Sequence, residues 1–507
     1  MATERAWPLA RVFLAEHPPL ARLAERPNYR WLVVATVCVG AFLGQLDASI
    51  ATLVLPTLEE VFHAQTASVE WVAIAYLLTL AALVVTFGRL ADMTGRKLLY
   101  NAGFIVFILG SALCGLAPSL EMLIGFRVLQ AVGAAMLQAN SVAIITAAVP
   151  HGELGRAIGV QGAAQAVGLS IGPTVGGFLI GAFGWQWVFF IAVPFGILGA
   201  GMAWFILPQT ARAGAPGAVA ERFDWWGAIV FSLAIALALL ALTFGNAWGW
   251  TSLRLLGCVA ATLVSLGVFV AIERRAPFPL VDFGLFANRV FSAGIVSGLL
   301  SYSVLFGALF LVPFFLQRVQ NYSAERTGLL LTVIPLAIGV LAPISGIITD
   351  RVGSRFPTVL GMALAAAALV VLTFDARAGI AIVLLILAVF GVGLGFFTPP
   401  NNSAIMGSAP PTRLGVAGGV LNMTRSLGTS LGVGATGAVL ALSLSFIAGH
   451  HVQSTLDVPA ADFFAGFREC LIFLAALAVL AGAIAALRGG QPIKSAPAEA
   501  HAESMGV

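Results

Sequence analysis

The chain has 507 residues, of which 60% are hydrophobic and only 9% are charged, with a formal net charge of +4. Roughly a quarter of the residues in a soluble protein are charged, so this composition excludes a soluble globular chain and indicates a surface that faces lipid. The small net charge gives no reason to expect nucleic-acid binding. The four cysteines lie in apolar stretches without CxxC spacing, so they predict neither a disulfide framework nor a metal site.

Residues 1–30 are polar and arginine-rich and lack a signal-peptide core, so they are predicted to form a cytoplasmic N-terminal tail. Apolar runs of about 20 residues, each long enough to cross a bilayer, follow fourteen times. Residues 488–507 are rich in Ala, Pro and Glu and predict a disordered cytoplasmic tail. The predicted spans are 31–56, 69–90, 97–117, 120–148, 155–181, 185–207, 225–244, 253–272, 290–316, 327–349, 356–374, 379–407, 412–446 and 464–487.

The distribution of basic residues predicts the orientation of these spans. With both termini inside, the cytoplasmic segments hold 19 of the 26 Lys and Arg residues, the outer loops hold five, and Arg127 and Arg425 lie within spans. Such an excess of basic residues on one side is typical of the cytoplasmic side of a membrane protein. We therefore expect a multi-pass protein of the bacterial inner membrane with both termini in the cytoplasm.

The chain repeats itself at an offset of about 257 to 260 residues. Residues 88–97 match 346–355, and residues 150–177 match 410–437. Both copies of the first match lie between the second and third helices of their half. The repeat predicts an all-α membrane protein of two parallel six-helix halves, 31–207 and 290–487, with a linker, 208–289, that adds two helices.

Four motifs carry a resemblance to a known family. Residues 88–97 read Gly-Arg-Leu-Ala-Asp-Met-Thr-Gly-Arg-Lys, which resembles the loop G-x-L-a-D-x-x-G-R-[KR] of the major facilitator superfamily. Residues 168–177 match G-x-x-x-G-P-x-x-G-G at every specified position. Residues 46–56 resemble L-D-x-T-x-x-N-x-A-L-P, and residues 127–133 resemble R-x-x-Q-G with Ala131 for the first glycine. The chain is thus similar to the drug:proton antiporter family with 14 spans.

This resemblance implies roles for two sets of residues. The repeated loops would latch the halves together on the cytoplasmic side, and the fifth-span motif goes with export. Gly168, Gly172 and Gly176 recur every four residues and predict a helix face for close packing, while Pro173 predicts a bend. The gate residues are Gly88, Asp92, Gly95, Arg96, Lys97, Asp350, Gly353 and Arg355, and the antiporter motif comprises Gly168, Gly172, Pro173, Gly176 and Gly177.

Two charged residues are the candidates for proton coupling. Asp47 is the only carboxylate that the predicted spans place well inside the membrane. Desolvation favours the protonated form of a carboxylate, as a proton-coupled carrier requires. The resemblance links Arg127, in the fourth span, to proton transfer. The alternatives are an Asp47 exposed at a helix end and an Arg127 that braces the first half.

Polar residues on the first, second, fourth and fifth spans of each half are expected to line a central cavity. For each of them, a hydrogen bond to a neighbouring helix is an equally good alternative to contact with the substrate. The fixed positive charge of Arg425 favours neutral, zwitterionic or singly charged lipophilic substrates. The cavity candidates are Tyr76, Gln130, Gln138, Asn140, Gln165, Tyr302, Asn401, Asn402, Asn422 and Arg425.

The sequence therefore predicts a proton-coupled antiporter that exports lipophilic compounds by alternating access. We expect a monomer in the bilayer that binds protons and a small lipophilic substrate, with no cofactor beyond the proton gradient, no metal and no nucleic acid. An exporter of an endogenous lipid, siderophore or natural product fits the same motifs. An importer or a membrane receptor fits them less well, and an intramembrane enzyme lacks the clustered catalytic groups it would need, since all six His lie in tails or loops.

Overall fold

The computed structural model describes residues 16–64, 66–210, 223–249, 252–322, 324–375, 379–448 and 458–488. Within these ranges the chain is helical and has no strand. Each long apolar run forms a helix because a helix satisfies its own backbone hydrogen bonds, which lipid cannot do. Most of both predicted tails lies outside the described residues.

Fourteen long helices follow one another along the chain. They are α1 Tyr29–Leu53, α2 Trp71–Thr94, α3 Arg96–Gly115, α4 Leu120–Ala148, α5 Leu154–Phe183, α6 Trp187–Ile206, α7 Trp225–Trp248, α8 Leu253–Glu273, α9 Arg289–Arg318, α10 Val333–Val352, α11 Arg355–Asp375, α12 Ile380–Ser408, α13 Leu414–Ala448 and α14 Ala460–Leu487. Short helical segments lie in the connections, at Ala21–Ala24, Leu55–Phe62, Thr66–Val69, His151–Glu153, Gly284–Ala287, Ala324–Leu331 and Pro411–Arg413.

The number of membrane spans depends on how α5 is counted. By length and composition, thirteen of the described helices can cross a membrane, and the number is fourteen when the bent α5 is taken as one span. The bend of 41° lies between Gly172 and Thr174, at the predicted Pro173, where a backbone hydrogen bond is missing. The side chain of Pro173 itself lies outside the description.

The helices pack as two sets that meet chiefly through four helices, with further contacts of α4 with α13 and of α5 with α12. α5 packs against α10, and α2 packs against α13, so each set contributes one helix of each pair. α7 lies against both α2 and α13, and α8 packs on the outer side of α7. The two extra helices therefore sit beside the junction of the sets. The predicted domain limits at residues 207 and 290 stay a prediction.

Both described ends of the chain lie at the same end of the bundle, which we call the terminal face. Near the first described residues, Leu20 N–H donates to Phe205 O at the end of α6 (3.0 Å). At the last described residue, Arg488 Nη2 donates to Ser354 O, just before α11 (3.3 Å). The connection between α2 and α3 and the one between α10 and α11 lie on this face.

Candidate functional site

A buried ion pair joins α1 to α4. Arg127 Nη1 lies 2.9 Å from Asp47 Oδ2, and the two side chains are 1% and 2% exposed. Asp47 stands inside α1, which continues to Leu53. The structure therefore places the two proton-coupling candidates in direct contact and away from water.

Gln130 completes the network around this ion pair. Its Nε2 donates to Asp47 Oδ1 (2.8 Å) and to Ser111 Oγ on α3 (2.7 Å). Its Oε1 accepts from Arg127 Nη1 (2.5 Å), which is one turn earlier on the same helix. Gln130 is fully buried, so it belongs to the ion pair rather than to the cavity predicted for it. Ser111 was not predicted; as a single hydroxyl in an apolar helix it carried little signal.

Arg127 is held on its other sides by backbone and aromatic groups. Its Nε donates to Val72 O on α2 (3.1 Å). Its guanidinium lies 4.1 Å from the centre of the Tyr76 ring, a cation–π geometry. Tyr76, predicted to line the cavity, therefore packs on the ion pair. These contacts satisfy the charge of Arg127 inside the membrane, where an unpaired charge is costly.

The α2–α3 connection reaches across the two sets of helices on the terminal face. Asp92, near the end of α2, accepts from Gly415 N–H through Oδ1 (2.9 Å) and from Val416 N–H through Oδ2 (3.0 Å). These residues begin α13, whose first N–H groups have no partner within the helix. A carboxylate at this position is stabilised both by the hydrogen bonds and by the helix dipole.

The α10–α11 connection makes the reciprocal contact. Asp350 accepts from Gly155 N–H through Oδ1 (2.7 Å) and from Arg156 N–H through Oδ2 (2.8 Å), at the start of α5. The two copies of the repeated loop therefore cap equivalent helices. The loop of the first set caps α13 in the second set, and the loop of the second set caps α5 in the first. We call the contacts of Asp92 and Asp350 the two gate contacts.

Glycines allow the backbones to touch beside each gate contact. A Cβ built on Gly88 would lie 2.2 Å from Gly415 O, and one on Gly346 would lie 2.2 Å from Gly155 O. No side chain fits at this spacing. Of these four, only Gly88 was among the predicted gate residues. The signal for the others was present in the repeat, where Gly346 matches Gly88 and Gly415 matches Gly155.

The two loops differ in how their remaining residues are used. Arg96 donates to Asp92 Oδ1 (2.8 Å) and to Pro411 O (2.7 Å), which ties the first loop more firmly across the junction. Lys97 is buried, and its Nζ donates to Leu207 O (2.6 Å) and His17 O. In the second loop Arg355, the counterpart of Lys97, is exposed. Both loops turn at glycines of positive φ, Gly95 (112°) and Gly353 (83°).

We expect Asp92→Ala to open the terminal face more than Asp350→Ala does. Either change removes two charge-assisted hydrogen bonds to a helix N-terminus, which contribute about 0.5–2 kcal/mol. Asp92→Ala also removes the partner of Arg96. The measurement uses Ser141, which lines a pocket at the centre of the bundle together with Gln138. It is the rate at which a membrane-impermeant maleimide labels Ser141→Cys from the terminal face, in a background without the native cysteines. Equal rates for both variants and the parent would contradict this role of the gate contacts.

A polar cavity, made of two small pockets that share Gln165, lies at the centre of the bundle, with one pocket inside the first set of helices and the other between the two sets. Arg425 Nη2 on α13 donates to Gln138 Oε1 on α4 (2.5 Å), and Asn422 Nδ2 donates to Gln138 O (2.9 Å). These bonds close the cavity around Gln138. The structure brings together six of the predicted cavity residues, namely Gln138, Gln165, Tyr302, Asn402, Asn422 and Arg425.

Two other predicted cavity residues have a different place. Asn401 Nδ2 donates to Gly294 O on α9 (2.9 Å), and its Oδ1 accepts from Arg488 Nη1 (2.7 Å), so it joins helices of the second set. Asn140 is fully buried and donates to Met136 O of its own helix. Arg488, predicted to begin a tail, is itself buried and donates to Thr358 Oγ1 (3.1 Å). A basic residue at the end of a membrane helix is typical of the cytoplasmic surface, so the sequence did not predict this buried contact.

The predicted antiporter motif packs α5 against α1. A Cβ on Gly168 would lie 2.6 Å from Phe42 O, and one on Gly172 would lie 1.8 Å from Ser49 Oγ. Gly176 faces Ile50 in the same way, whereas Gly177 leaves more room. The glycine face therefore holds the helix that carries Asp47. In the second set, Gly428 and Gly432 hold α9 by the same kind of contact.

A bundle of membrane helices with a polar cavity between two repeated sets is the architecture of a secondary transporter. The chain matches the model of the Major Facilitator Superfamily over residues 37–433, and it belongs to this superfamily. The family resemblance predicted from the motifs is thereby confirmed, and it indicates a transporter rather than an enzyme.

Named relatives and a solved structure agree with this assignment. Riboflavin transporter RibZ of Clostridioides difficile is 34% identical over 427 residues, which cover 82% of this chain and 90% of RibZ. Multidrug resistance protein Stp of Mycobacterium tuberculosis is 31% identical over 429 residues, covering 84% of this chain and 79% of Stp. The crystal structure of the human organic anion transporter MFSD10 shares the fold, with a TM-score of 0.64 at 15% identity over 91% of this chain and 100% of that one.

Proposed function

We propose that this transporter is a proton-coupled antiporter that exports lipophilic compounds from the bacterial cytoplasm by alternating access. The observation that carries the proposal is the buried Asp47–Arg127 ion pair in the first set of helices, next to the helices that line the cavity. Both termini would lie in the cytoplasm, so the terminal face is the cytoplasmic face. The proton gradient would supply the energy without a cofactor, to a monomer.

Protonation of Asp47 would change the balance between two conformations. The charged carboxylate holds Arg127 and Gln130, whereas a protonated one attracts Arg127 less. A conformation that separates the pair is thus favoured only when Asp47 carries a proton. Because the glycine face of α5 lies on α1, a movement of α1 passes to α5. The start of α5 is the helix end that Asp350 caps at the gate.

The cavity lining indicates the class of substrate. The described residues that line it include amides, Tyr302 and the positive Arg425 but no acid. This lining supports neutral, zwitterionic or singly charged lipophilic compounds, and the similarity to Stp supports drug export. The similarity to RibZ supports riboflavin, a neutral compound with polar edges, as the second candidate.

The test is transport by the purified protein in liposomes under an imposed pH gradient. We expect a fluorescent lipophilic cation such as ethidium to move against the proton flow, and the movement to stop when a protonophore collapses the gradient. Gradient-driven movement of riboflavin without ethidium would replace drug export by flavin transport. Movement of either compound that ignores the gradient would overturn the proton coupling.

Arg425→Gln is expected to favour cations among the transported compounds. The change removes a positive charge from the cavity and replaces the guanidinium that donates to Gln138 Oε1 with a shorter, neutral amide. Repulsion between two unit charges about 4 Å apart is on the order of 1 kcal/mol in a hydrated cavity. Without this repulsion the apparent affinity for ethidium should rise about fivefold. Affinity for a neutral substrate measured in parallel is the control. An equal change for both would show that Arg425 acts on the shape of the cavity alone.

A further inference from the structure

Two carboxylates meet where α7 begins and α8 ends, on the terminal face. Asp224 precedes α7 and accepts from Gly227 N–H through Oδ1 (2.8 Å). Glu273 is the last residue of α8 and is 4% exposed. A Cβ built on Gly227 would lie 2.4 Å from Asp224 Oδ2 and 3.2 Å from Glu273 Oε1. The two carboxylates are therefore neighbours, separated by the missing side chain of Gly227.

Each carboxylate leaves one oxygen unused. Glu273 Oε1 accepts from Leu280 N–H in the connection after α8 (3.0 Å). Asp224 Oδ2 and Glu273 Oε2 are buried and have no hydrogen-bond partner in the described part of the chain. A buried charged oxygen without a partner is costly. A proton would remove the charge from a carboxylate and lower this cost.

The surrounding charges act on a proton at this place in opposite directions. Arg89 on α2 is buried, and its positive charge acts on Glu273. The positive charge of Arg89 opposes a proton on Glu273, whereas burial and the negative charge of Asp224 favour one. Arg274 and Arg275, which follow on the chain, are exposed to water. Neutral buried groups are strongly favoured over charged ones.

We infer that Glu273 carries a proton beside Asp224, as a second proton site apart from Asp47. Arg89 follows Gly88, which touches Gly415 beside the first gate contact. α7 packs against α2, so a proton on Glu273 would reduce the repulsion between the ends of α7 and α8 next to the helix that carries the gate. This gives the two extra helices a role: they hold a proton-dependent support of the cytoplasmic gate. Loss of the proton leaves two like charges side by side and loosens that support.

The test is the infrared band of a buried protonated carboxyl group in the purified full-length protein at neutral pH. We expect the C=O stretch of one such group in the parent protein, and its loss as the pH rises. Glu273→Gln should remove the band. Asp224→Asn should weaken it, because the change removes the neighbouring negative charge that favours a proton on Glu273. Asp224→Asn keeps an oxygen that can accept from Gly227 N–H, so it reports on the pair should Glu273→Gln fail to fold.

Asp282→Asn, in the connection after α8, is the matched control and should leave the band unchanged. Asp47→Asn should leave it unchanged as well, because Asp47 contacts Arg127 and Gln130 rather than Asp224 or Glu273. The measurement needs neither a substrate nor a gradient, so its outcome does not depend on whether the protein exports drugs. A band of unchanged strength in both Glu273→Gln and Asp224→Asn, or its absence from the parent, would overturn the inference.

Discussion

Asp47→Asn is expected to abolish gradient-driven transport while leaving the protein in the membrane. Asparagine resembles the protonated carboxyl in size but cannot exchange a proton, so the two conformations no longer respond to pH. The change also leaves Arg127 buried without its counter-charge, and breaking a buried pair in this way costs about 3–5 kcal/mol. The measurement is the initial rate of ethidium movement in liposomes with and without a pH gradient, with the thermal unfolding midpoint recorded in parallel.

The double variant Asp47→Asn, Arg127→Gln separates coupling from stability. Removing both charges leaves neutral groups that can still form hydrogen bonds with Gln130, so the unfolding midpoint should recover towards that of the parent. Gradient-driven transport should not recover, because the carboxylate proposed to take up the proton is absent. If the double variant transports with normal dependence on the gradient, the ion pair is a structural brace and the proton passes elsewhere.

Gly88→Ala is expected to hold the terminal face open. The new Cβ would stand 2.2 Å from Gly415 O and 2.7 Å from Gly415 C, which are backbone atoms that cannot turn aside. Overpacking of this kind costs about 1–3 kcal/mol, so the closed conformation should lose roughly 5- to 150-fold in population. Maleimide labelling of Ser141→Cys from the terminal face should become faster by a similar factor, and transport should fall.

Two further glycine variants serve as comparisons, one at the equivalent position of the repeat and one elsewhere in the bundle. Gly346→Ala should have the same effect, because its Cβ would meet Gly155 O at the same distance. Gly125→Ala on α4, where no atom lies within 4 Å of the new Cβ, should leave labelling unchanged. If Ser141→Cys is labelled no faster in Gly88→Ala than in Gly125→Ala, the two backbones can move apart without any loss of the closed conformation.

Much of this architecture can be predicted from the order of residues alone. The positions of α1–α14 follow from apolar runs, because the thickness of a bilayer sets the length of each helix. The glycine face of α5 follows from a spacing of four residues, and the gate loops follow from the repeat of Asp92 and Asp350. These features are local or periodic, so no knowledge of partners is needed to find them. Even the charged candidates, Asp47 and Arg127, stand out because charges are rare in apolar helices.

The partners of those residues were decided by the tertiary structure. Asp47 and Arg127 are 80 residues apart, and Asp92 is 323 residues from Gly415, so no local pattern pairs them. Tyr76 and Gln130 were predicted to line the cavity but contact the ion pair, and Asn401 was predicted to line it but contacts Arg488. Nothing in their residue type or their position along a helix distinguishes them from Gln138, which does line the cavity. In a membrane helix nearly every face is apolar, so periodicity does not show which face meets a neighbour, the cavity or lipid. Those faces are chosen by the packing of glycines against distant backbones and by the need of each buried polar group for a partner.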